Sequence, residues 1–258
     1  MLSRAVEPLQ RSRPRLRTFK HGLPDGSRTT VHVAAYPAHS TSARVELMSP
    51  PAPLVAWCEE SGATDALVGG FFARQGGGEP LGELWLRGRR VPSLPFDEPW
   101  GATRSCLAVE RGRVRLAARD ELPPRPEGDL LQAGPLLVAG QRPVVHDGLD
   151  PEGFSANARQ FDSDITRGRY PRAALGTLPG WILAVVCDGR AHEDAGLTLR
   201  ELAELMAGLG ANRAINLDGG GSTSLVFGGT LCNTPREEHG IELLVGRPVS
   251  TALVFERG

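Results

Sequence analysis

Two short stretches hold the residues best suited to chemistry. Asp188-Gly189-Arg190 follows a continuous apolar run from Trp181 to Cys187, and Asp218-Gly219-Gly220-Gly221-Ser222-Thr223 follows a shorter one from Ala214 to Leu217. In each, an aspartate closes a strand-like segment and glycine comes next. A pair of carboxylates is the usual equipment for cleaving a glycosidic bond through an oxocarbenium-like transition state. Three consecutive glycines permit positive φ and close backbone approach, and their N–H groups with the Ser222 and Thr223 hydroxyls suit an anion-binding nest. Arg172, delivered behind Pro171, needs an anion, because an unpaired buried guanidinium is costly. That anion is either a substrate phosphate or one of the aspartates. His192, in the loop after Asp188, could donate to a phosphate or relay a proton near neutral pH; the plainer reading is an exposed loop histidine. The aspartates, likewise, also suit Asx caps that satisfy turn N–H groups.

Such residues need elements to position them. Trp181 to Cys187 reads as a strand buried on both faces. Over Thr198 to Leu209, apolar residues at Leu199, Leu202, Ala203, Met206 and Leu209 mark one face of a helix, with Thr198 and Glu201 as a capping box and Gly208 and Gly210 as stops. If the flanking strands are parallel neighbours joined by this helix in a right-handed crossover, both carboxylates stand at the strands' C-terminal ends, where α/β sheets place ligands. Upstream, Thr29–Pro37, Ser40–Met48, Leu84–Leu86, Cys106–Val109 and Val114–Leu116 read as strands and Leu54–Ser61 as a helix. Ala66–Val68 leads into Gly69-Gly70-Phe71-Phe72, where paired glycines predict close approach of the backbone, to a ligand at Gly70 or within a bulge that tucks two core phenylalanines. The expected fold class is mixed α/β (α+β): a twisted, mixed sheet with a few packed helices and the site at the C-terminal ends of two strands.

Composition bounds the rest. A chain of 258 residues with net charge −1 gives no global argument for binding nucleic acid or membrane. Lys20 is the only lysine among many arginines, a mark of genomic base bias. The widely spaced cysteines 58, 106, 187 and 232 suit free thiols in a reducing compartment. With no apolar run of signal-peptide or membrane-spanning length, the expected setting is soluble and cytoplasmic. Residues 1–25 form a basic arm, read as a tail, an added strand or a contact for an anionic partner, ahead of a single domain over 26–258. Pro143 to Pro171 is a polar stretch holding His146, Asp147, Asp150, Arg159, Asp162 and Asp164. It reads as a solvated loop or lid. No cofactor is required, although the clustered aspartates leave a divalent cation open.

The motifs together resemble one family. Asn216-Leu217-Asp218-Gly219-Gly220-Gly221-Ser222-Thr223, preceded by Asp188-Gly189-Arg190 and Gly196-Leu197-Thr198-Leu199, looks like the signature of the phosphodiester glycosidases. Pro171-Arg172 with Ala174-Leu175-Gly176, Gly134-Pro135-Leu136-Leu137-Val138, Gly69-Gly70-Phe71-Phe72 and Arg247-Pro248-Val249 look like further family segments, in family order over roughly residues 60–256. Val68 stands where the family has asparagine, and Ala173 where it has threonine. The resemblance implies hydrolysis of a sugar-1-phosphodiester small molecule. Asp188, Asp218, Arg172 and His192 would then be catalytic, and Gly70, Arg190, Asn216, Gly219, Gly220, Gly221, Ser222 and Thr223 substrate-binding. The same scaffold recruited as a lyase, cyclase or transferase, or as a non-catalytic sugar-phosphate sensor, remains the alternative.

Overall fold

A computed structural model describes residues 13–73, 77–155 and 166–257. Along the chain come β1 (Arg15–Gly22), β2 (Arg28–Pro37), β3 (Thr41–Pro53), α1 (Leu54–Ser61) and β4 (Ala66–Val68). Short strands follow: β5 (Leu84–Leu86), β6 (Arg89–Arg90), β7 (Ser105–Glu110), β8 (Arg113–Ala118), β9 (Asp129–Gln132), β10 (Leu136–Ala139) and β11 (Arg142–Pro143). The last part holds β12 (Arg172–Leu178), β13 (Trp181–Cys187), α2 (Leu199–Gly208), β14 (Arg213–Asn216), β15 (Leu225–Phe227), β16 (Thr230–Leu231) and β17 (Pro248–Arg257). The fold is α+β, mostly sheet with two α-helices among the described residues.

The strands form a seven-stranded sheet (β1-β2-β13-β12-β14-β10-β11) and two five-stranded sheets (β16-β15-β4-β17-β3 and β6-β5-β9-β7-β8). Every ladder between these strands is antiparallel, which corrects the expectation of a mixed sheet. β13 and β14 do point the same way, but they are not neighbours: β12 lies between them and runs against both. The reason the neighbours are not legible in the run itself is physical. Ile182, Ala184 and Val186 of β13 enter the central core, while Leu183, Val185 and Cys187 face Leu199, Leu202 and Met206 of α2. A strand covered on both faces loses its alternation whichever way its neighbours run. Residues 15–22 of the expected arm are β1, paired along their length with β2.

α2 begins as its sequence dictates. Thr198 Oγ1 accepts the Glu201 N–H at 3.1 Å and the Glu201 carboxylate accepts the Thr198 N–H at 2.9 Å, closing a capping box. The helix lies close on the sheet because Gly176 carries no side chain; a Cβ there would stand 2.6 Å from Met206 Cε.

A satellite core gathers Phe71, Leu81, Phe96 and Phe154. Buried Arg104 is sandwiched in it, 4.1 Å from the centroids of both Phe96 and Phe154. Its Nε and Nη2 donate to the carbonyls of Glu152 and Gly153 at 2.8 and 3.0 Å. The Glu152 carboxylate accepts the N–H groups of Ser105 (2.7 Å) and Leu136 (2.6 Å) and the Ser105 hydroxyl (3.0 Å). Burial pushes the Glu152 carboxyl above its usual range and brings Arg104 down to about 10.

Candidate active site

β12 enters the sheet between β13 and β14, so its first residue, Arg172, stands at the edge where the other two strands finish. Pro171, just ahead of it, supports both aspartate turns. The Gly220 N–H donates to Pro171 O at 2.9 Å. A Cβ on Gly219 would sit 2.9 Å from that same oxygen, and one on Gly189 only 2.7 Å from Pro171 N. Each aspartate is followed by glycine because the Pro171 backbone passes where a side chain would be. Asp218 is fixed further by its own N–H, which donates to Gly69 O at 3.0 Å. Gly69 and Gly70 are a place of close approach, as their pairing predicts, but to the protein itself. A Cβ on Gly69 would lie 2.4 Å from Thr251 Oγ1, and the Gly70 N–H already donates to that oxygen at 3.0 Å. Gly70 is therefore buried scaffold, with its amide unavailable to a ligand.

Asp188 is 5% exposed. Its Oδ1 accepts the Thr234 N–H at 2.7 Å and its Oδ2 lies 3.2 Å from His32 Nε2. Asp218 is half-buried, and its Oδ1 accepts the Gly219 N–H at 2.9 Å. Arg172 is buried, with Nε donating to Leu197 O at 3.0 Å and Nη2 to Gly168 O at 3.4 Å. Arg190 sits in the left-handed region at φ 58°, unusual for a residue with a side chain, and donates from Nη1 to Arg236 O at 3.0 Å. Both guanidinium groups lie against the Tyr170 ring, at 5.2 Å for Arg172 and 5.6 Å for Arg190. Burial lowers the pKa of Arg190, opposed by Glu237 and Glu238. Arg247 Nε donates to Glu237 Oε1 at 2.7 Å, and Gly221 presses on this pair: its Cβ would lie 2.9 Å from both side chains.

The expected nest is largely closed. Besides Gly219 and Gly220, the Ser222 and Thr223 N–H groups donate to Gly219 O and Gly220 O at 3.2 Å, making a 3₁₀ turn over Gly220–Ser222. Four of the motif's amides thus serve the turn and not a ligand, because a tight turn satisfies its own donors first. The hydroxyls of Ser222, Thr223 and Ser224 and the Oδ1 of Asn216 are buried with no hydrogen-bond partner among the described residues. Asn216 Nδ2 donates to Gly134 O at 2.9 Å, tying β14 to the Gly-Pro segment.

His192 is exposed in the turn bridged by Ala191 and Asp194, and no hydrogen bond links it to the aspartates among the described residues. The histidine that touches the site is His32 on β2, which sequence reasoning passed over as one position in an alternating strand. In the polar loop, Asp147 pairs with Arg200 at 2.8 Å, and Asp150 caps the N–H groups of Phe154 and Ser155 at 2.9 and 2.6 Å. Arg159, Asp162 and Asp164 lie outside the described residues. Among the described residues no three His, Cys, Asp or Glu side chains gather as metal ligands. A cavity of about 780 Å³ flanks the segments that anchor Arg172; Leu136, Val145, Gly168 and Thr198 are among its walls.

The segments that meet here also carry the likeness to known proteins. The family model of the phosphodiester glycosidases matches residues 61–256, most of the chain. The chain belongs to the phosphodiester glycosidase family. Two curated relatives are the N-acetylglucosamine-1-phosphodiester alpha-N-acetylglucosaminidases of Bos taurus and Mus musculus, 29% identical over 187 residues and 30% over 183. Each match covers 69% of this chain and 33% or 34% of the relative, so the chain spans about a third of their length. Among solved structures, the catalytic domain of the zebrafish enzyme of the same name, auto-inhibited by its pro-peptide, superposes with a TM-score of 0.71 at 18% identity, over 95% of this chain and 83% of that one. A hypothetical protein from Synechocystis superposes at 0.65 and 19% identity, over 95% and 62%. The fold is therefore shared with both. It also explains why the family's scattered segments go together: Gly69, Gly134, Pro171 and Arg247 each meet the stretch from Asn216 to Gly221.

Proposed function

We propose that this chain hydrolyses a sugar-1-phosphodiester, breaking the anomeric C–O bond and releasing free sugar and a phosphate monoester. The observation that carries this reading is the meeting of Asp188, Asp218 and Arg172 at one sheet edge around Pro171. A phosphate monoester is a good leaving group, so charge stabilisation matters more than strong general-acid help. Arg172 and Arg190, gathered at Tyr170, supply that positive charge. Asp218, half-buried at its strand end, attacks the anomeric carbon or activates the water that does. Asp188, buried and held at both oxygens, stabilises the positive charge that develops on the sugar.

Val68 and Ala173, where the chain departs from the family pattern, are both fully buried in the central core. Those departures alter packing and leave the aspartates, Arg172 and the glycine turn in place, which favours hydrolysis over a recruited chemistry. The test is turnover on a panel of sugar-1-phosphodiesters and nucleotide sugars, led by an N-acetylglucosamine-1-phosphodiester, with and without chelator. Sugar release that vanishes in Asp218→Asn is the expected result. Ligand-raised melting temperature with no release from any member would favour the sensor reading instead.

A further inference from the structure

We propose that His32 is the positioning residue for Asp188, and that Thr18 on β1 fixes the form in which it acts. The inference rests on the catalytic part given to Asp188 above. His32 is 6% exposed, and both of its ring nitrogens are engaged: Nε2 lies 3.2 Å from Asp188 Oδ2, and Nδ1 lies 3.0 Å from Thr18 Oγ1. A carboxylate only accepts, so a proton belongs on Nε2; in the neutral ring Nδ1 is then an acceptor, and the Thr18 hydroxyl donates to it. Asp188 is then held on every side. Its Oδ1 takes the Thr234 N–H at 2.7 Å, its own N–H donates to Thr30 O at 2.9 Å, and its carbonyl takes the Thr29 hydroxyl at 2.6 Å. A buried anion requires donors of this kind, and one supplied by a ring fixes direction as well as charge.

His32 is not placed to carry a proton to solvent, since neither nitrogen is free for it. Its work is to aim the carboxylate. Thr18 and His32 both precede residues 61–256, the part matched by the family model. The edge strand β1 therefore belongs to the active site, not to a dispensable arm.

The test uses the full chain labelled with ¹⁵N-histidine. In its neutral form the His32 imidazole, assigned by its disappearance in His32→Gln, is expected to show a protonated Nε2 and an unprotonated Nδ1. A protonated Nδ1 beside a bare Nε2 overturns the proposal. In kinetics, His32→Leu is expected to lower kcat by about tenfold or more, the usual size of a lost orienting partner, with little change in KM. His32→Gln, whose amide can donate where Nε2 did, should retain turnover within about threefold of the parent. Thr18→Val keeps the strand but removes the hydroxyl, and should lower kcat while leaving KM. A folded His32→Leu protein with the parent kcat, or a His32→Gln protein as slow as His32→Leu, overturns the proposal. If no phosphodiester is turned over at all, the imidazole spectrum alone decides, because it does not depend on the reaction.

Discussion

Arg104 and Glu152 are buried in the aromatic satellite core; Arg172 and Asp188 are buried at the strand-end edge. In the satellite core the chain surrounds each charge with its own groups. Glu152 takes two backbone N–H groups and a serine hydroxyl, while Arg104 lies between two phenylalanine rings with carbonyls on its nitrogens. At the edge, buried Asp188 and Arg172 stand beside half-buried Asp218 and Arg190, near Asn216, Ser222, Thr223 and Ser224, whose buried oxygens lack partners among the described residues. Burial of charge is common to both regions and marks neither as a site. What separates them is the presence of titratable groups that still meet solvent, since Asp218 and Arg190 are half-buried whereas Glu152 and Arg104 are buried.

Substitutions should widen or erase that contrast. Asp218→Asn has the largest expected effect, a fall in turnover of about 10²–10⁴-fold with the melting temperature little changed; sugar-release kinetics and calorimetry measure the two. A large stability loss with turnover kept would make the edge another structural cluster. Glu152→Ala should do the reverse, losing about 3 kcal/mol in urea unfolding with turnover per folded molecule unchanged. It should also change the pH profile. Burial raises the Glu152 carboxyl, so the native state holds its proton more tightly than the unfolded chain. That contribution is fully present below the ordinary value of 4.5 and is lost as pH rises through the folded value. Glu152→Ala should therefore flatten the decline of stability between that ordinary value and the folded one.

Within the glycine turn the contrast becomes finer. Gly219→Ala drives a Cβ into a backbone carbonyl, Pro171 O, and should lose about 1–3 kcal/mol along with turnover. For Gly221→Ala the nearest atoms are the ends of the Glu237 and Arg247 side chains, which can swing aside. It should change KM more than stability. Thr198→Ala has the smallest effect, about 1 kcal/mol from the lost helix cap, with kcat unchanged.

What the sequence revealed was local. β13 has the bounds its apolar run implied, and the Thr198–Glu201 box forms as its spacing dictates. Both aspartates stand at strand ends on one edge, as their place before glycine suggested. What it hid was non-local. Nothing near Trp181 records that β12 would slip between β13 and β14, since strand pairing is decided by distant segments. His32 meets Asp188 across 156 positions, and the alternation of β2 marks its face without naming the partner. His192 drew attention through nearness in the chain, which a tight turn converts into exposure. The glycine turn hid its own closure, because glycines that permit a ligand-binding turn equally permit one that satisfies itself.

The support of Asp188 comes from opposite ends of the chain, with Thr18 behind His32 on one side and Thr234 on the other. Such a site cannot be carried by a fragment. Activity should therefore be lost in step with the global unfolding transition and not before it, which makes turnover a gauge of whether the whole molecule is intact. For the same reason the machinery resists being split into complementing halves or transplanted as a cassette of motifs.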